Sequence, residues 1–377
     1  MKIAGIVAEF NPFHYGHEYL ISKITEDGAN RIVVAMSPNF TMRGEPAIFS
    51  KKDRASIAIS KGVDLVVEIP TIYTIQSADI YAYTGVKILS YLKVTDLYFG
   101  VESTDTSVFY KIVESLNSDE YKSKLKEYLD DGISFNNSSK KALGNINPSY
   151  NEILSSPNNT LAIFYLLAIK KLGSNIKPHF IKRIESGYFD EYDANKKIQS
   201  GTALRKIIET GKKGKYFSYN LNNYGVHVKN DYFSLLKYRI LSIKNEELKN
   251  IQGINEGLEN KIKSLVNFKN YEELISTLTS KRNRNTKIQR ILLAILLNIN
   301  KNECSTNNID YIHVLGLNSN GRSLLKEIKD EIKIITKVEN DLPKSFYREL
   351  DFSKIYNINS LDEKSILLGE TVSLSDI

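Results

Sequence analysis

The first hundred residues alternate short, continuously apolar runs with longer segments in which apolar residues recur every three or four positions. Lys2–Glu9, Arg31–Met36, Val63–Ile69 and Leu97–Val101 are of the first kind, the pattern of strands buried on both faces, and Pro70 closes the third. His17–Thr25, Ser50–Lys61 and Ala78–Leu92 are of the second kind and predict helices. This alternation implies an α/β fold with a parallel sheet covered by helices on both faces. Ligands of such sheets bind beyond the carboxyl ends of the strands, so the loops after Val7, Met36, Ile69 and Phe99 are expected along one edge. Residues 103–151 read as helices around a polar loop at Phe135-Asn-Asn-Ser-Ser-Lys-Lys141. Asn159–Lys171 predicts a helix, Lys177–Ile184 a last strand with Pro178 near its start, and Thr202–Thr210 a helix closed by Gly211-Lys-Lys-Gly214. Beyond residue 220 helical spacing dominates, over Phe233–Ile243, Leu258–Val266, Tyr271–Leu278 and Ile288–Ile299. Ile309–Leu315 and Ile332–Val338 are candidate strands. Two domains are expected, an α/β domain over 1–215 and a mainly α-helical one over 216–377.

Length and composition agree with that division. A chain of 377 residues exceeds one average domain, and 42% apolar with 25% charged residues is an ordinary globular profile. No window approaches eighteen uninterrupted apolar residues, so no membrane span is expected. The apolar run of Met1–Phe10 leads into Asn11-Pro12 without a small-residue cleavage site, which predicts a first strand and not a signal peptide. Cys304 is the one cysteine, which excludes an intrachain disulfide and a cysteine-based zinc site. The formal charge of +7 permits an acidic partner without requiring one.

Candidate chemistry concentrates in Asn11-Pro12-Phe13-His14-Tyr15-Gly16-His17, directly after the first strand. Gly16 allows close backbone approach, and a helix starting near His17 offers unpaired N–H groups to an anion. Two imidazoles three residues apart can flank a nucleotide's phosphates and stabilise charge at an α-phosphate under in-line attack. Two surface histidines in a loop are the bland alternative, and the position after the first strand of a strand–helix chain argues against it. The motif resembles the HxGH signature of nucleotidyltransferases that share a fold core with class I aminoacyl-tRNA synthetases. Their second motif has a counterpart in Ile198-Gln-Ser-Gly-Thr-Ala-Leu-Arg205-Lys206, where Ser200 and Thr202 can cap a helix and touch phosphate and Arg205 can meet the β- and γ-phosphates.

The resemblance then widens over almost the whole chain. The segment Ala8–His17, Met36-Ser-Pro-Asn-Phe-Thr-Met-Arg-Gly-Glu-Pro-Ala47, Val63-Asp-Leu-Val-Val-Glu-Ile-Pro70, Phe99-Gly-Val-Glu102, Pro157-Asn-Asn-Thr-Leu161, Ile181-Lys-Arg-Ile184 and Thr202-Ala-Leu-Arg-Lys206 resemble the tRNA(Met) cytidine acetate ligase family. So do Ser280-Lys-Arg282, Ile288–Leu293, Val314-Leu-Gly316, Gly321-Arg-Ser-Leu-Leu325 and Ile335-Thr-Lys337. The resemblance implies a Rossmann-like (HUP-type) nucleotidyltransferase domain followed by a mainly helical tRNA-binding domain. It implies a cytoplasmic ligase that activates acetate with ATP as acetyl-adenylate and transfers the acetyl group to N4 of the wobble cytidine of elongator tRNA(Met), with Mg2+ possible as a helper. His14 and His17 are the catalytic candidates. ATP contacts are implied for Val7-Ala8-Glu9-Phe10-Asn11-Pro12-Phe13-His14-Tyr15-Gly16-His17-Glu18-Tyr19-Leu20, for Gly100, for Arg183 and for the pair Asn158/Asn159, of which Asn159 begins a helix and is preferred. Four positions depart from the family pattern: Tyr15, Pro38, Met42 and His313, the last standing where an arginine is expected and so bearing on an RNA contact.

Adenylation turns the oxygen of a poor electrophile into a good leaving group, and the enzyme must neutralise the α-phosphate while this happens. The segment Met36–Thr41 at a strand end is a candidate for the small acetate pocket; a plain loop with Arg43 solvated is the equal alternative. Lys281, Arg282, Arg284, Lys287 and Arg290 lie in a stretch free of acidic residues that leads into an apolar helix, a plausible surface for tRNA phosphates. Lys212, Lys213 and Lys215 form a smaller patch. Two alternatives remain at this point: a small-molecule adenylyltransferase that uses the same histidines, and a non-catalytic RNA-binding protein on a relict nucleotide fold.

Overall fold

The structure, a computed structural model, describes residues 1–184, 199–211, 216–255, 257–265, 267–280, 283–304, 309–328, 331–339, 341–359 and 372–373. The apolar runs form strands β1 (Ile3–Ala8), β2 (Arg31–Met36), β3 (Leu65–Glu68), β4 (Asp96–Val101) and β5 (Lys177–Lys182). They lie parallel in the spatial order β5-β4-β1-β2-β3. The order reverses beside β1, so the crevice between the carboxyl ends of β1 and β4 is the topological switch point of the sheet. The loop carrying the two histidines leaves β1 there.

The pleat divides each strand between two cores. Val33, Ala35, Leu65 and Val67 face one cluster, built on the helices Ala78–Tyr91 and Pro157–Leu172. Ile32, Val34, Met36 and Val66 face the other, built on Tyr15–Glu26 and Lys51–Ser60. A third apolar cluster joins the helices Phe233–Ser242, Leu258–Ser264, Tyr271–Leu278 and Asn285–Leu297, with Phe40 and Ile75 reaching into it from the amino-terminal half.

The chain then returns to the sheet. Strand β6 (Tyr311–Leu317) pairs antiparallel with β3, and β7 (Lys333–Ile335) and β8 (Val372–Ser373) pair parallel with β6. Both candidate strands of the carboxy-terminal half therefore form, as extensions of the amino-terminal sheet. The parallel sheet expected from the sequence thus carries one antiparallel junction, at β3–β6.

One local expectation is corrected. The segment Phe135–Lys141, read as a polar loop, opens the helix Phe135–Ile146. Asparagine and serine are weak helix formers, but Ser138, Ala142 and Leu143 recur on one face and are buried. That face packs on the helix Asp119–Asp130, and tertiary burial outweighs the propensity.

Candidate active site

A cleft of about 230 Å³ opens at the switch point. Its walls come from Val7–Pro12, His14, Gly16, His17, Tyr19 and Leu20 on and after β1, and from Phe99 and Gly100 on β4. Lys182 at the end of β5 and Arg183 after it, Asn158, Ser200, Thr202 and Arg205 complete the rim. Segments that lie nearly two hundred residues apart are thereby brought to one place.

The helix after β1 starts at Tyr15, two residues earlier than its apolar spacing predicts, because His14 caps it. His14 Nδ1 accepts the N–H of Gly16 at 3.0 Å, and His17 Nδ1 accepts the N–H of His14 at 3.2 Å. This is a capping box made by two imidazoles. A backbone N–H can only donate, so both Nδ1 atoms are unprotonated acceptors and each neutral ring carries its hydrogen on Nε2. The rings stack with centroids 3.8 Å apart, and Phe10 packs its edge on His17. His14 Nε2 faces Gly201, where a Cβ would lie 3.9 Å from it.

Burial, reinforced by the facing Arg183 and Arg205, brings His14 down to about 3 from its ordinary 6.5. His17 is also well below 6.5, through burial and then the proximity of His14 and Arg183. Both rings are therefore neutral donors at physiological pH.

Around the histidines the polar groups are held in place. Ser200 Oγ accepts the N–H of Ala203 and so caps the helix Gly201–Glu209. Arg205 donates to Asn11 O at 2.6 Å and to Thr202 Oγ1 at 3.1 Å, which ties that helix to the histidine loop. Asn11 Oδ1 accepts the N–H of Ile48 at 2.7 Å. Arg183 lies over Gly100, where a Cβ would come within 3.2 Å of its Cγ, and its Nε is 3.7 Å from Glu102. Glu102 also accepts from Asn158 Nδ2 at 2.6 Å, and its own N–H is held by Asn159 Oδ1 at 3.0 Å.

Not every candidate from the sequence faces the cleft. Of the asparagine pair, Asn158 lines the cleft and Asn159 is buried beneath it. Phe13 is fully buried, and Glu18 pairs with Lys61 at 3.4 Å on the outer side of its helix. The acetate candidate Met36–Thr41 is buried throughout; the next two residues, Met42 and Arg43, line the cleft together with Tyr81 and Tyr165. None of Met36–Thr41 lines this cleft itself, although Ser37 Oγ lies 3.0 Å from the hydroxyl of the cleft-lining Tyr81.

Sequence inspection missed Arg54. Its side chain is fully buried, and among the described residues it hydrogen-bonds to backbone carbonyls and to no carboxylate. Nε donates to Phe49 O at 3.0 Å, Nη1 to Glu9 O at 2.5 Å and Ser37 O at 3.1 Å, and Nη2 to Pro38 O. One planar fork thus pins the ends of β1 and β2 together. Its place on a helix face between Lys51, Lys52 and Asp53 looks like a solvated position, and no motif marks it.

His313 is likewise relocated. It is not at an RNA-facing surface: it is buried in β6, where Nδ1 contacts Glu68 and Phe346 packs edge-on. Lys51 pairs with the other Glu68 oxygen at 2.6 Å. Against the burial that would raise it, Lys51 and His313 hold the Glu68 carboxyl at about 2. Nearby Glu349 accepts from Thr71 N and Oγ1, both at 2.6 Å. Burial, and then the charge of Glu68, push its carboxyl up to about 8.

These shifts predict the pH dependence of stability. The unfolded chain protonates its histidines near 6.5 and the fold does not. Stability present above that pH is therefore lost as pH falls, by about 1.4 kcal/mol per pH unit down to about 3 for His14, with a loss of the same sign from His17. Glu349 acts oppositely: protonated in the fold, its contribution is complete below 4.5 and disappears as pH rises through 8. The ligand-free melting temperature is expected to peak near neutrality, with His14→Gln flattening the acid side and Glu349→Gln the alkaline side. A calorimetric profile that is level from pH 4.5 to 6.5 would contradict the buried neutral imidazoles.

Of the basic residues singled out near the carboxy-terminal helix, Arg284 is exposed, just ahead of Asn285–Leu297. Arg290 is half-buried, its pKa lowered by burial, and its backbone presses on Gly44. Lys287 is half-buried on the same helix. Lys281, Arg282, Lys212, Lys213 and Lys215 lie outside the described residues. Among the described residues no group of three or more His, Cys, Asp or Glu side chains gathers as a metal site, and no helix is long and apolar enough to cross a membrane.

The chain is similar over nearly its whole length to known proteins. The HIGH Nucleotidyl Transferase family matches residues 1–366. A tRNA(Met) cytidine acetate ligase of Clostridium novyi (strain NT) is 38% identical over 357 residues, covering 89% of each chain. One from Clostridium perfringens is 37% identical over 402 residues, covering 100% of this chain and 99% of that one. The crystal structure of apo Thermotoga maritima TmcAL superposes with a TM-score of 0.89 at 26% identity, over 99% of this chain and 100% of that one. The same protein bound with alpha-thio ATP superposes with a TM-score of 0.86.

Proposed function

The chain belongs to the tRNA(Met) cytidine acetate ligases among the HIGH nucleotidyl transferases, and on that premise we propose that it is an ATP-dependent tRNA acetate ligase working in the switch-point cleft. The observation that carries this reading is the pair of stacked neutral imidazoles whose Nε2–H groups remain as donors beside Arg183 and Arg205. Neutral donors fixed in advance, next to a helix amino terminus and two cations, suit charge that grows on an α-phosphate.

In the first step an acetate oxygen attacks the α-phosphorus of ATP, the bond to the bridging oxygen of the β-phosphate breaks, and pyrophosphate leaves. His14 and His17 donate to the α-phosphate oxygens, and Arg183 and Arg205 balance the charge of the leaving group. In the second step N4 of the wobble cytidine of elongator tRNA(Met) attacks the acetyl carbon, the acyl C–O bond breaks, AMP departs and the nitrogen loses a proton to water. ATP contacts are assigned to the residues of Val7–Leu20 that line the cleft, and to Gly100, Asn158 and Arg183, with Ser200 and Thr202 beside the phosphates. A Mg2+ ion, where present, would come with the triphosphate and offset its charge beside Arg183 and Arg205, and a tRNA substrate fits a cytoplasmic protein.

Acetate-dependent ATP–pyrophosphate exchange, followed by mass analysis of tRNA nucleosides after incubation with ATP and labelled acetate, tests the assignment. Exchange that requires acetate and an acetylated cytidine are expected. Exchange with no acetate dependence points instead to a small-molecule adenylyltransferase, and no turnover at all to an RNA-binding protein without catalysis.

A further inference from the structure

A second cleft, of about 600 Å³, lies between the helix Phe135–Ile146 and the turn that opens Asn285–Leu297. Lys140 and Lys141 line it from one side and Arg284 from the other, with Ser134, Asn137 and Ser280 between them. None of the described residues that line it is acidic. Arg284 Nη2 donates to Asn137 Oδ1, which fixes the guanidinium across the cleft, and Lys141 Nζ rests 5.4 Å above the Tyr128 ring. Ser134 Oγ is buried there with no hydrogen-bond partner. Burial, and then the charge of Arg284, lower the pKa of Lys140. Three cations from two distant parts of the chain thus converge without a carboxylate among their described neighbours, an arrangement that an anion would relieve.

The cleft is joined to the nucleotide site by one helix. Arg284 precedes its first turn, and six residues later, about 9 Å along the axis, Arg290 packs on Gly44 so closely that a Cβ on the glycine would fall 2.4 Å from Arg290 N. Gln289 Nε2 donates to Glu45 Oε1 at 2.6 Å, and Arg43 of the same loop lines the nucleotide cleft. A polyanion held at the second cleft is therefore within reach of the first.

We propose that Lys140, Lys141 and Arg284 form a phosphodiester-binding groove that holds the backbone of the substrate RNA while its reacting base enters the nucleotide cleft. The identity of the polyanion as RNA rests on the ligase reading; the anion site itself rests on the side chains alone. Backbone contacts of this type add affinity and orientation without reading sequence.

The triple variant Lys140→Ala, Lys141→Ala, Arg284→Ala, titrated with tRNA over a salt series, tests the groove. Binding is expected to weaken at least about tenfold at low salt, with the salt slope shallower by about one for each phosphate that the variant leaves unneutralised. Acetate-dependent ATP–pyrophosphate exchange stays at the wild-type level, and the charge-conserving variant Lys140→Arg, Lys141→Arg, Arg284→Lys recovers most of the affinity. Unchanged tRNA affinity and slope overturn the proposal, whatever the variant does to binding of acidic peptides. So does equal weakening in the charge-conserving variant, since shape and not charge would then be at issue. Wild-type protein that binds tRNA through these residues yet shows no acetate-dependent exchange refutes the ligase reading and leaves the groove standing.

Discussion

His14→Asn is expected to cut acetate-dependent ATP–pyrophosphate exchange by about 10²–10³-fold while leaving the melting temperature and tRNA affinity close to wild type. The magnitude is that of removing one preorganised donor from a developing oxyanion. Asparagine separates the two duties of this residue. Its Oδ1 can accept the N–H of Gly16 as His14 Nδ1 does, so the helix Tyr15–Glu26 keeps its cap. Nothing then stands where Nε2–H donated. His14→Ala would lose the cap as well, about 1 kcal/mol of helix stability, and so confounds the two effects. His17→Ala should lower exchange similarly, because the ring at 3.8 Å supplies the second donor. Wild-type exchange rates in both His14→Asn and His17→Ala would remove the imidazoles from catalysis.

The second large effect concerns stability. Arg54→Met preserves much of the side-chain volume but strands the carbonyl oxygens of Glu9, Ser37, Pro38 and Phe49, all of which the guanidinium now serves. Removing a buried cation recovers its desolvation cost, yet each orphaned buried acceptor costs about 1–3 kcal/mol. With four such acceptors the loss dominates, and destabilisation of about 4 kcal/mol or more is expected. Arg54→Lys should fall between, since one ammonium has no planar fork to span four carbonyls. Denaturant titration of Arg54→Met gives the answer. A transition midpoint equal to wild type would mean that the ends of β1 and β2 hold together without the guanidinium.

The two residues show different degrees of legibility. The histidines announce themselves, since they sit three apart after the first apolar run and before a helical one. What the spacing hides is that each ring's Nδ1 is consumed by the helix cap, which decides the tautomer and so which nitrogen is left to react. Arg54 has no such signal. Its neighbours in sequence are charged, and only the turn of the β2 end over the loop before its helix encloses it.

The same division runs through the rest of the molecule. Continuous apolar runs and helical spacing follow from burial that is local to each element, so the alternation of strand and helix in the first hundred residues was readable residue by residue. The helix Phe135–Ile146 was not, because its weak formers are stabilised by the face they bury on another helix. His313 was readable as a departure from the arginine that the family resemblance implies, but its position inside the sheet depends on β6 crossing to the edge of β3, from which it is separated by more than two hundred residues. By itself, then, the sequence determined the strand–helix alternation of the amino-terminal half, the nucleotide signature and the family. Tertiary structure alone decided which cations share a cleft, which carboxyls are buried together and which ring nitrogens remain free to donate, because proximity, dielectric and hydrogen-bond competition are properties of assembled surfaces and not of chain order.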